Sequence, residues 1–551
     1  MNSQLAARVA AWIGDDPDEM DRATLGHLLD LGDEDALSQR FAAPLTFGTA
    51  GLRGPVMAGP AGMNRLTVRR ATQGVVGWLD HLGADVRRGV VVGRDARRRS
   101  ETFNDEVVRV LLGAGVTVHE MPRPLPTPFV AYGVKALGAA AGIMITASHN
   151  PPEDNGYKLY ASDGSQIIAP DDEIVERLSR VASTPLLGER SSAHHHVVPA
   201  SLLAAYRDHF VHRFGVEGGS DLRIVYTPLH GVGGASMTEL FAAAGFRSVR
   251  VVESQFQPDG DFPGLAFPNP EEPGVLDLAI ATARESNATI VIANDPDADR
   301  LGVAVREAGG WRVLRGDEIG WLLASELLPG AGVGDVVATT IVSSTMLESM
   351  ARDAGVRCAT TLTGFKWIAR AAGAGVLRFG YEEALGYAVD PLVADKDGLS
   401  AALALCRLAH ELSLVGQTLV DRLDELEARH GVHAVGQLAL RASPYEGRAA
   451  IVASLDRVRA TAPRSIGGVA VTGVVDLADG WRGLPATEGV VLELGDEGRV
   501  VVRSSGTELK LKAYVEITPG RAGEGALDVR RARARARLAA VCEELEGLLR
   551  L

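Results

Sequence analysis

The sequence predicts a multidomain protein of the α/β class. Short apolar segments typical of buried strands, such as Gly89–Gly93 and Ala288–Ala293, alternate with helical stretches along most of the chain. A chain of 551 residues is longer than one hydrophobic core can serve, so about three to five domains are expected. Polar motifs follow several of the apolar segments, which is where open α/β sheets bind their ligands.

Composition excludes several classes of protein. Lys and Arg number 56 against 70 Asp and Glu, a net charge of −14, so no nucleic-acid surface is expected, although a local basic pocket for a small anion is allowed. Cys358, Cys406 and Cys542 lack CxxC spacing, which argues against a disulfide framework or a zinc site and fits a reducing cytoplasm. Without a signal-peptide pattern or a membrane-length apolar run, we expect a cytoplasmic protein that has no membrane partner.

The chain begins with a predicted helical arm, because the first residues, about forty in number, mix apolar and acidic positions at helical spacing. Leu45–Pro55 (LTFGTAGLRGP) follows, with three glycines in seven residues and Arg53 directly before the last of them. Such a loop lets backbone amides and a guanidinium approach an anion, and it lacks the lysine and spacing of a nucleotide P-loop. A simple turn with a surface arginine is the alternative.

Alternating strands and helices continue to about residue 215. Gly89–Gly93 and Val116–Val118 are predicted strands, and Arg94–Phe103 predicts the start of a helix. The polar segment around Ser183–Val198 contains three adjacent histidines, at positions 194–196. Such a run is more typical of an exposed loop than of a metal site, so we expect it to lie at the periphery.

The strongest candidate nucleophile is Ser148, near the head of the motif TASHNPPEDNGYKLY (Thr146–Tyr160). Ala139–Ile145 is small and apolar and predicts a buried strand, so Ser148 would lie just past its carboxyl end. The following HNPP cannot comfortably continue a strand or start a helix, which places the serine hydroxyl on a turn. A polar loop without catalytic function is the alternative for this motif taken alone.

A second candidate centre is the motif NDPDADRLG after the predicted strand Ala288–Ala293. In an extended segment every second residue faces one side, so Asp295, Asp297 and Asp299 are expected to converge. Three close carboxylates repel each other unless a cation lies among them, and all-oxygen ligands suit Mg²⁺. The glycine and distal glutamate of an EF-hand are missing, and an acidic surface turn is the alternative.

The later part of the chain offers two more polar groups. Lys366 is expected in a glycine-led turn. Glu382 and Glu383 are expected to follow a strand, where their carboxylates can accept hydrogen bonds from sugar hydroxyls. A solvent-exposed pair of glutamates is the alternative. Val501–Tyr514 predicts a phosphate cradle, because hydroxyls, free amides and a guanidinium fall within five residues: Arg503, Ser504, Ser505, Gly506 and Thr507. The Arg-rich run Arg530–Arg537 is expected on a closing helix with a solvated face.

Five motifs in this order resemble those of the α-D-phosphohexomutase superfamily: FGTAGLRG, TASHNP with NGYK, DPDADR, TGFKW with YEEALGY, and RSSGTELK. The resemblance covers nearly the whole chain. It implies three related α/β domains and a smaller α+β C-terminal domain around a central cleft, with boundaries placed at 1–215, 216–314, 315–435 and 436–551.

The resemblance also implies the chemistry. A phosphoserine donates its phosphoryl group to a sugar monophosphate, the resulting bisphosphate turns over in the cleft, and the other phosphoryl group returns to the serine. Ser148 would carry the phosphoryl group and, with the three aspartates, bind Mg²⁺. Arg53, Lys158 and Arg300 would assist the transfer, with Lys158 placed to exchange a proton with the attacking hydroxyl, and a sugar bisphosphate is the expected activator.

The remaining roles follow by the same matching. His149 would orient the serine loop, donate a hydrogen bond to substrate, or pack. The sugar would be contacted by Lys366, Glu382 and Glu383, and the non-transferring phosphate by Arg503, Ser504, Ser505, Gly506 and Thr507.

Two positions depart from the family pattern. Ala384 stands where many hexose-specific relatives have serine; with TGFKW and DKDG (Asp395–Gly398), this resembles the branch whose phosphoglucomutases also act as phosphopentomutases. Leu509 replaces the usual proline of the phosphate loop. We therefore expect a Mg²⁺-dependent mutase, a monomer or homodimer, acting on glucose, ribose or deoxyribose 1-phosphate. The alternatives are a phosphomannomutase, a metal-dependent sugar phosphatase and a non-catalytic sugar-phosphate sensor.

Overall fold

The computed structural model describes residues 2–48, 51–182, 184–442, 447–504, 510–519 and 525–550. These residues form two compact units. The first unit comprises Met1–Leu314 and Leu385–His410, and the second comprises Arg315–Ala384 and Glu411–Leu551. The segment Leu385–His410 therefore packs with the first unit, although the sequence placed it in the middle of the third domain. The four domain boundaries drawn from the sequence stay predictions.

The first unit begins with the expected helical arm, made of the helices Ser3–Asp15, Glu19–Leu31 and Glu34–Phe41. Each helix has a polar residue at its N-cap that accepts a backbone N–H, namely Asn2, Asp18 and Asp33. Trp12 and Phe41 meet edge to face with 6.1 Å between their ring centroids. The apolar side chains of the arm form a small core together with Ala58 and Leu66, which follow the arm in the chain.

A six-stranded mixed sheet carries the serine motif. Its strands, in spatial order, are Leu52–Pro55, Asp154–Tyr160, Ala141–Ile145, Val90–Arg94, Val118–Glu120 and His195–Val197. The helices of this region are Arg65–His81, Ser100–Gly113, Thr127–Leu137, Asp171–Arg180 and Ala200–Phe214, with a short 3₁₀ turn at Val86–Arg88. Large buried side chains such as Trp78, Phe103 and Tyr157 fill the space between helices and sheet.

Two details of this region differ from the expectations. The helix begins at Ser100 rather than at Arg94, because Asp95 accepts hydrogen bonds from Arg97 N–H and Ser100 Oγ and thereby forms a turn before the helix. His195 and His196 lie in an edge strand, His195–Val197, that runs parallel to Val118–Glu120, whereas His194 lies in the turn before it. His195 Nε2 lies 2.8 Å from Glu120 Oε2, so this histidine belongs to the sheet edge.

A five-stranded sheet follows in the first unit, in the order Gly310–Val313, Gly302–Glu307, Ile290–Ala293, Ile224–Thr227 and Val249–Val251. Its helices are Gly233–Ala243, Glu253–Phe256 and Asp277–Glu285. The segment that returns to this unit contributes the short strand Gly386–Ala388 and most of the helix Gly398–Leu414. Ile290–Ala293 runs parallel to Ile224–Thr227, so the aspartate motif leaves the carboxyl end of a central strand.

The second unit combines an α/β part and an α+β part. The parallel strands Arg357–Thr361, Asp335–Thr340 and Val376–Glu382 alternate with the helices Gly316–Leu327, Met346–Asp353, Phe365–Ile368 and Leu419–His430, and a 3₁₀ turn lies at Leu328–Gly330. The mixed α/β content confirms the predicted class of three α/β domains plus a different C-terminal one. The expected central cleft stays a prediction.

The C-terminal part contains an antiparallel sheet in the order Ala434–Arg441, Lys510–Ile517, Gly498–Ser504, Val490–Glu493 and Gly473–Asp476. The remaining elements are the strand pair Ser465–Ile466 and Val469–Ala470, the helices Gly447–Ala460 and Leu527–Leu548, and 3₁₀ turns at Leu477–Asp479 and Gly495–Glu497. The last helix carries the Arg-rich run as predicted, although its Arg531 pairs with Asp424 and Glu427 instead of only facing solvent.

No single helix in the described ranges has both the length and the apolar character needed to cross a membrane. The helices Gly398–Leu414 and Leu419–His430 satisfy the criteria only when taken together, and they are bent by 91° at the break between them.

Candidate active site

Ser148 lies three residues beyond the strand Ala141–Ile145, in a turn, as the sequence predicts. Its backbone has a φ of 55°, in the left-handed region, and its N–H donates to Thr146 Oγ1 at 2.9 Å. The side chain is buried, and Ser148 Oγ donates to Asp295 Oδ2 at 2.7 Å. His149 Nδ1 lies 3.2 Å from the same hydroxyl oxygen. The candidate nucleophile thus meets one of the three aspartates directly.

The serine turn is held by Arg97, which the sequence analysis did not identify as a site residue. Its two terminal nitrogens donate to four backbone carbonyls: Nη2 to Ser148 at 2.7 Å and Asn150 at 2.6 Å, and Nη1 to Pro151 at 2.7 Å and Asp154 at 3.0 Å. A planar guanidinium can satisfy four acceptors in this way because its donors form a fixed fork. Arg97 therefore defines the backbone course of the whole serine turn.

The Arg97 side chain is itself fixed on two sides. Its Nε lies 3.5 Å from Asp95 Oδ2, and its guanidinium carbon lies 4.8 Å from the centre of the Phe262 ring. Arg97 is only 3% exposed, so water does not compete for these contacts. The sequence signal was present in RDARRR, but a run of arginines before a helix usually indicates a solvated surface.

The three aspartates converge as expected, although not for the reason expected. The strand ends at Ala293, and residues 295–299 form a turn in which Ala298 has a φ of 56°. Asp295 closes this turn, because its carbonyl accepts from Ala298 N–H at 2.9 Å and its Oδ1 accepts from Arg300 N–H at 3.1 Å. The expectation of an extended segment was therefore wrong, and a tight turn brings the carboxylates together.

Two lysines from different segments contact the aspartates. Lys158 Nζ, fully buried on the strand Asp154–Tyr160, donates to Asp297 Oδ2 and to Asp299 Oδ2, each at 2.6 Å. Lys396 Nζ lies 3.3 Å from Asp299 Oδ2. Thr127 Oγ1 adds a hydrogen bond of 2.5 Å to Asp297 Oδ2. The sequence analysis gave no role to Lys396 or Thr127. Lys396 belongs to the DKDG motif, which was noted only as a feature of the family branch.

The cluster fits a metal ion. One carboxylate oxygen from each aspartate lies within 4.8 Å of the others, and all three side chains are buried. Asp297 Oδ1 and Asp299 Oδ1 have no hydrogen-bond partner among the described residues, and Arg300 Nε lies 4.0 Å from Asp299 Oδ1. A buried carboxylate oxygen without a partner is costly, and a hard divalent cation is the ligand that such oxygens prefer.

Charge distribution within the cluster is uneven. Burial raises the pKa of Asp295 well above its usual range, and the charges of Asp297 and Asp299 raise it further. Burial opposes ionisation of Asp297 and Asp299 as well, but Lys158, together with Thr127 at Asp297 and with Lys396 and Arg300 at Asp299, lowers the pKa of both. Ionisation is therefore favoured at Asp297 and Asp299 and disfavoured at Asp295, and a bound cation would favour the ionised form of Asp295.

Two of the predicted basic residues, Arg53 and Arg300, interact electrostatically with His149 of the serine turn. Arg53, on the strand Leu52–Pro55, donates to Asn150 Oδ1 at 3.3 Å, and Arg300 Nη1 lies 3.7 Å from Glu271 Oε2. Burial lowers the pKa of His149 well below its usual value, and the charges of Arg300 and Arg53 lower it further. The imidazole is therefore uncharged at neutral pH, and it can accept or donate a hydrogen bond.

The remaining predicted residues lie in the second unit. Glu383 Oε2 accepts from Ser343 Oγ at 3.0 Å and from Thr340 Oγ1 at 3.2 Å. Glu382 is the last residue of its strand rather than beyond it, and Lys366 lies in the four-residue helix Phe365–Ile368 rather than in a simple turn, with Gly364 at φ 110° leading into it.

Only the first two residues of the predicted phosphate cradle belong to the described part of the chain. Arg503 and Ser504 end the strand Gly498–Ser504, and Ser504 Oγ donates to Glu488 Oε2 at 2.5 Å. Ser505, Gly506 and Thr507 lie outside the described residues, as does Leu509.

Comparison with protein families matches four domain models along the chain. They are described as phosphoglucomutase/phosphomannomutase α/β/α domain I at residues 44–184, domain II at 204–310, domain III at 315–429 and the C-terminal domain at 446–533. The chain belongs to the phosphoglucomutase/phosphomannomutase family. It is a phosphosugar mutase, an enzyme that transfers phosphate within its substrate and is thus an isomerase.

Proteins similar in sequence to this chain are named as mutases of several different sugar phosphates. A probable phosphomannomutase of Haemophilus influenzae is 40% identical over 465 residues, 83% of this chain and 93% of that protein. A probable phosphoribomutase of Schizosaccharomyces pombe is 35% identical, covering 94% of each chain. A phosphoglucomutase of Staphylococcus aureus is 32% identical, covering 87% of this chain and 90% of that one.

The fold of this mutase is similar to that of a solved structure. The open form of the Paramecium phosphoprotein pp63/parafusin, a phosphoglucomutase, matches it with a TM-score of 0.71 at 18% identity. The match covers 93% of this chain and 96% of the Paramecium chain.

Proposed function

We propose that this mutase works through a phosphorylated Ser148 beside a Mg²⁺ ion held by Asp295, Asp297 and Asp299. The observation that carries the proposal is the 2.7 Å hydrogen bond from Ser148 Oγ to Asp295 Oδ2, because it places the hydroxyl at a buried carboxylate cluster. Two carboxylate oxygens of that cluster have no partner among the described residues. When bound, Mg²⁺ would neutralise charge on the transferring phosphoryl group.

The transfer itself needs little from the protein beyond positioning and charge balance. A hydroxyl oxygen of the sugar forms a bond to phosphorus while the bond between phosphorus and Ser148 Oγ breaks, and the electron pair of that bond returns to Ser148 Oγ. The proton of the sugar hydroxyl must leave as the new bond forms. Ser148 Oγ takes up a proton as it leaves phosphorus, which balances the step, with Lys158 as the proposed group for the proton exchange. Neutral His149, with Nδ1 at 3.2 Å from Ser148 Oγ, orients that oxygen.

Roles for the other predicted residues follow from charge and donor type. Arg53 and Arg300 stabilise negative charge on the transferring phosphoryl group, because both belong to the same buried region as Ser148. Lys366, Glu382 and Glu383 recognise the sugar, with the carboxylates accepting bonds from its hydroxyls. Arg503 and the RSSGT segment bind the phosphate that is not transferred. A sugar bisphosphate activates the enzyme by phosphorylating Ser148.

We infer that the substrates are glucose 1-phosphate and the 1-phosphates of ribose and deoxyribose. Ala384 supports the pentose part of this inference, because an alanine offers no hydroxyl to the sugar at the position where the family resemblance implies a serine in many hexose-specific relatives. The phosphoribomutase relative, which covers 94% of this chain, supports it as well. Turnover of the glucose, mannose, ribose and deoxyribose 1-phosphates, each with Mg²⁺ and the matching bisphosphate, decides the preferred sugar, and a preference for mannose would contradict the inference.

The phosphoserine route is tested with Ser148→Ala and isotopically labelled sugar bisphosphate. The wild type should take up label on the protein and catalyse isomerisation, whereas Ser148→Ala should do neither and should retain its thermal midpoint. Ser191→Ala, an exposed serine in the same domain, is the matched control and should behave as the wild type. Full turnover by Ser148→Ala would refute the route, and stoichiometric release of inorganic phosphate by the wild type would favour a phosphatase instead.

A further inference from the structure

The carboxylate of Glu383, in the second unit, is held by hydrogen bonds from a buried turn. The 340–345 turn, residues Thr340–Thr345, joins the strand Asp335–Thr340 to the helix Met346–Asp353. Glu383 Oε2 accepts from Ser343 Oγ at 3.0 Å and from Thr340 Oγ1 at 3.2 Å. In return Glu383 N–H donates to Ser343 Oγ at 3.2 Å. The position of the Glu383 carboxylate therefore depends on this turn.

The other side of the 340–345 turn is bound by the C-terminal sheet. Glu516 Oε1, on the strand Lys510–Ile517, accepts from Ser344 Oγ at 2.7 Å and from Thr345 N–H at 2.8 Å. Arg499 Nη2, on the neighbouring strand Gly498–Ser504, donates to the Ser343 carbonyl at 2.7 Å. Arg499 Nε also lies 3.4 Å from Glu516 Oε2, so the two residues act as a pair.

These contacts are buried and strongly charged. Glu516 is 5% exposed, and His433 Nδ1 lies 2.8 Å from its Oε1. Burial alone would raise the pKa of Glu516, but the hydrogen bond from His433 and the charge of Arg499 lower it to about 2, so the carboxylate is ionised at neutral pH. Apolar contacts surround the pair, since Ile341 and Val342 pack with side chains of the C-terminal sheet. Charged hydrogen bonds in such surroundings are stronger than exposed ones.

The strands that bind the turn are the same two that lead into and out of the predicted phosphate loop. Gly498–Ser504 ends at Ser504, and Lys510–Ile517 begins at Lys510, so residues 505–509 connect them. Contacts that hold these two strands in place therefore also hold the two residues at which the loop begins and ends. One pair of strands is therefore linked covalently to the phosphate loop and through the 340–345 turn to Glu383.

We propose that Glu516 and Arg499 are positioning residues that couple Glu383 to the phosphate loop through the 340–345 turn. The proposal rests on the proposed role of Glu383 in sugar recognition and deepens it. Neither residue needs to touch the substrate. They hold the Glu383 carboxylate, which accepts hydrogen bonds from the sugar hydroxyls, at a fixed distance from the two strands that flank the phosphate loop. One sugar phosphate can then bind to the Glu383 carboxylate and to the phosphate loop at the same time.

The test is a double-mutant cycle with Glu516→Gln and Glu383→Gln, read as KM and kcat for glucose 1-phosphate and ribose 1-phosphate. Glu516→Gln keeps the shape of the side chain but removes the charge that Arg499 and His433 bind. We expect each single variant to raise KM about tenfold with a smaller change in kcat, and the double variant to raise it no further than Glu383→Gln alone. Glu493→Gln, a partly exposed carboxylate on the strand Val490–Glu493 of the same sheet, should leave KM unchanged.

A second variant keeps the proposal falsifiable if Glu516→Gln fails to fold. Ser343→Ala removes the hydroxyl between the turn and Glu383 without touching the C-terminal sheet, and it should raise KM without adding to Glu383→Gln. The coupling would be overturned if the fold increase in KM of a double variant equalled the product of the increases in its two single variants. It would also be overturned if neither Glu516→Gln nor Ser343→Ala changed KM. An unchanged KM in Glu383→Gln would overturn the role of Glu383 and this coupling with it, while labelling of Ser148 would still decide the phosphoserine route separately.

Discussion

Lys158 Nζ and Asp299 Oδ2 lie 2.6 Å apart, although 141 residues separate them along the chain. The lysine is on the antiparallel strand next to the serine motif, and the aspartate is on the turn that leaves another sheet. Both side chains are fully buried. Because a buried ion pair holds its partners only when its geometry is good, this contact fixes the aspartate cluster beside the serine turn. The charge balance of the candidate metal site is therefore set by a residue from a different sheet.

Replacing Arg97 by lysine should lower kcat about 10- to 100-fold while leaving substrate KM nearly unchanged. A lysine cannot satisfy the four carbonyls that the guanidinium binds, so the serine turn loses its fixed course. Steady-state kinetics together with the rate of Ser148 labelling would measure the effect. Arg98→Lys is the matched control, since Arg98 is 64% exposed and pairs with Asp261 at the surface. Equal activity of the two variants would contradict the role of Arg97 in the turn.

Replacing Asp297 by asparagine should weaken Mg²⁺ activation by at least about tenfold, because the cluster loses a negative charge and one of its unpartnered carboxylate oxygens. Activity measured against Mg²⁺ concentration gives the shift directly, and binding of Mn²⁺ followed by electron paramagnetic resonance gives a readout independent of turnover. Asp80→Asn, an exposed residue in the same compact unit, serves as the control. Identical metal titrations for Asp297→Asn and the wild type would show that the ligand set is wrong.

Replacing Ala384 by serine should shift preference toward hexose 1-phosphates, because the added hydroxyl can hydrogen-bond the sugar. One such bond is worth about 1 kcal/mol, or roughly a fivefold change in the ratio of kcat/KM for glucose over ribose 1-phosphate. Competition between the two substrates in one reaction measures that ratio. Ala374→Ser, at an exposed position, should not change it. A ratio unaffected by Ala384→Ser would remove Ala384 as a determinant of sugar choice.

Asp317 should make the stability of the second unit depend on pH. Its Oδ1 accepts from Ser344 N–H and from Tyr381 Oη, each at 2.8 Å. Burial raises its pKa to about 7; the Ser344 N–H opposes this rise, whereas the charge of Glu383 adds to it. Above about pH 4 the unfolded chain releases this proton while the folded chain keeps it. The stabilising contribution is therefore complete below about pH 4 and is lost as the pH rises through 7.

The variant Asp317→Asn should lack this dependence. Between pH 5 and pH 8 the wild type should lose about 2–3 kcal/mol more of its free energy of unfolding than the variant. Urea unfolding at both pH values measures the difference, and hydrogen exchange of peptides covering residues 340–345 assigns it to this region. Parallel pH profiles of wild type and variant would mean that Asp317 is ionised in the folded protein at pH 5.

Much of the fold was accessible from the sequence because its signals are local. The apolar runs near Gly89, Ala139 and Ala288 each became a strand, shifted by one or two residues. Ser148 follows its strand as predicted, since the residues after it cannot extend a strand. The helix expected from Arg94 was misplaced because the Asp95 carboxylate accepts a hydrogen bond from the Arg97 backbone N–H and competes with helix formation. Nothing in the composition of the run reveals that bond.

The sequence by itself determined the α/β class, the family and the order of the motifs, because each depends on residues close together in the chain. Only the tertiary structure decided which residues meet. Arg97 clamps the serine turn, Lys396 reaches Asp299 from the segment Leu385–His410, and a turn rather than an extended strand gathers the aspartates. Such pairings are chosen by packing and by the cost of burying unpaired charge, which depend on segments far apart in sequence and leave no periodic pattern in it.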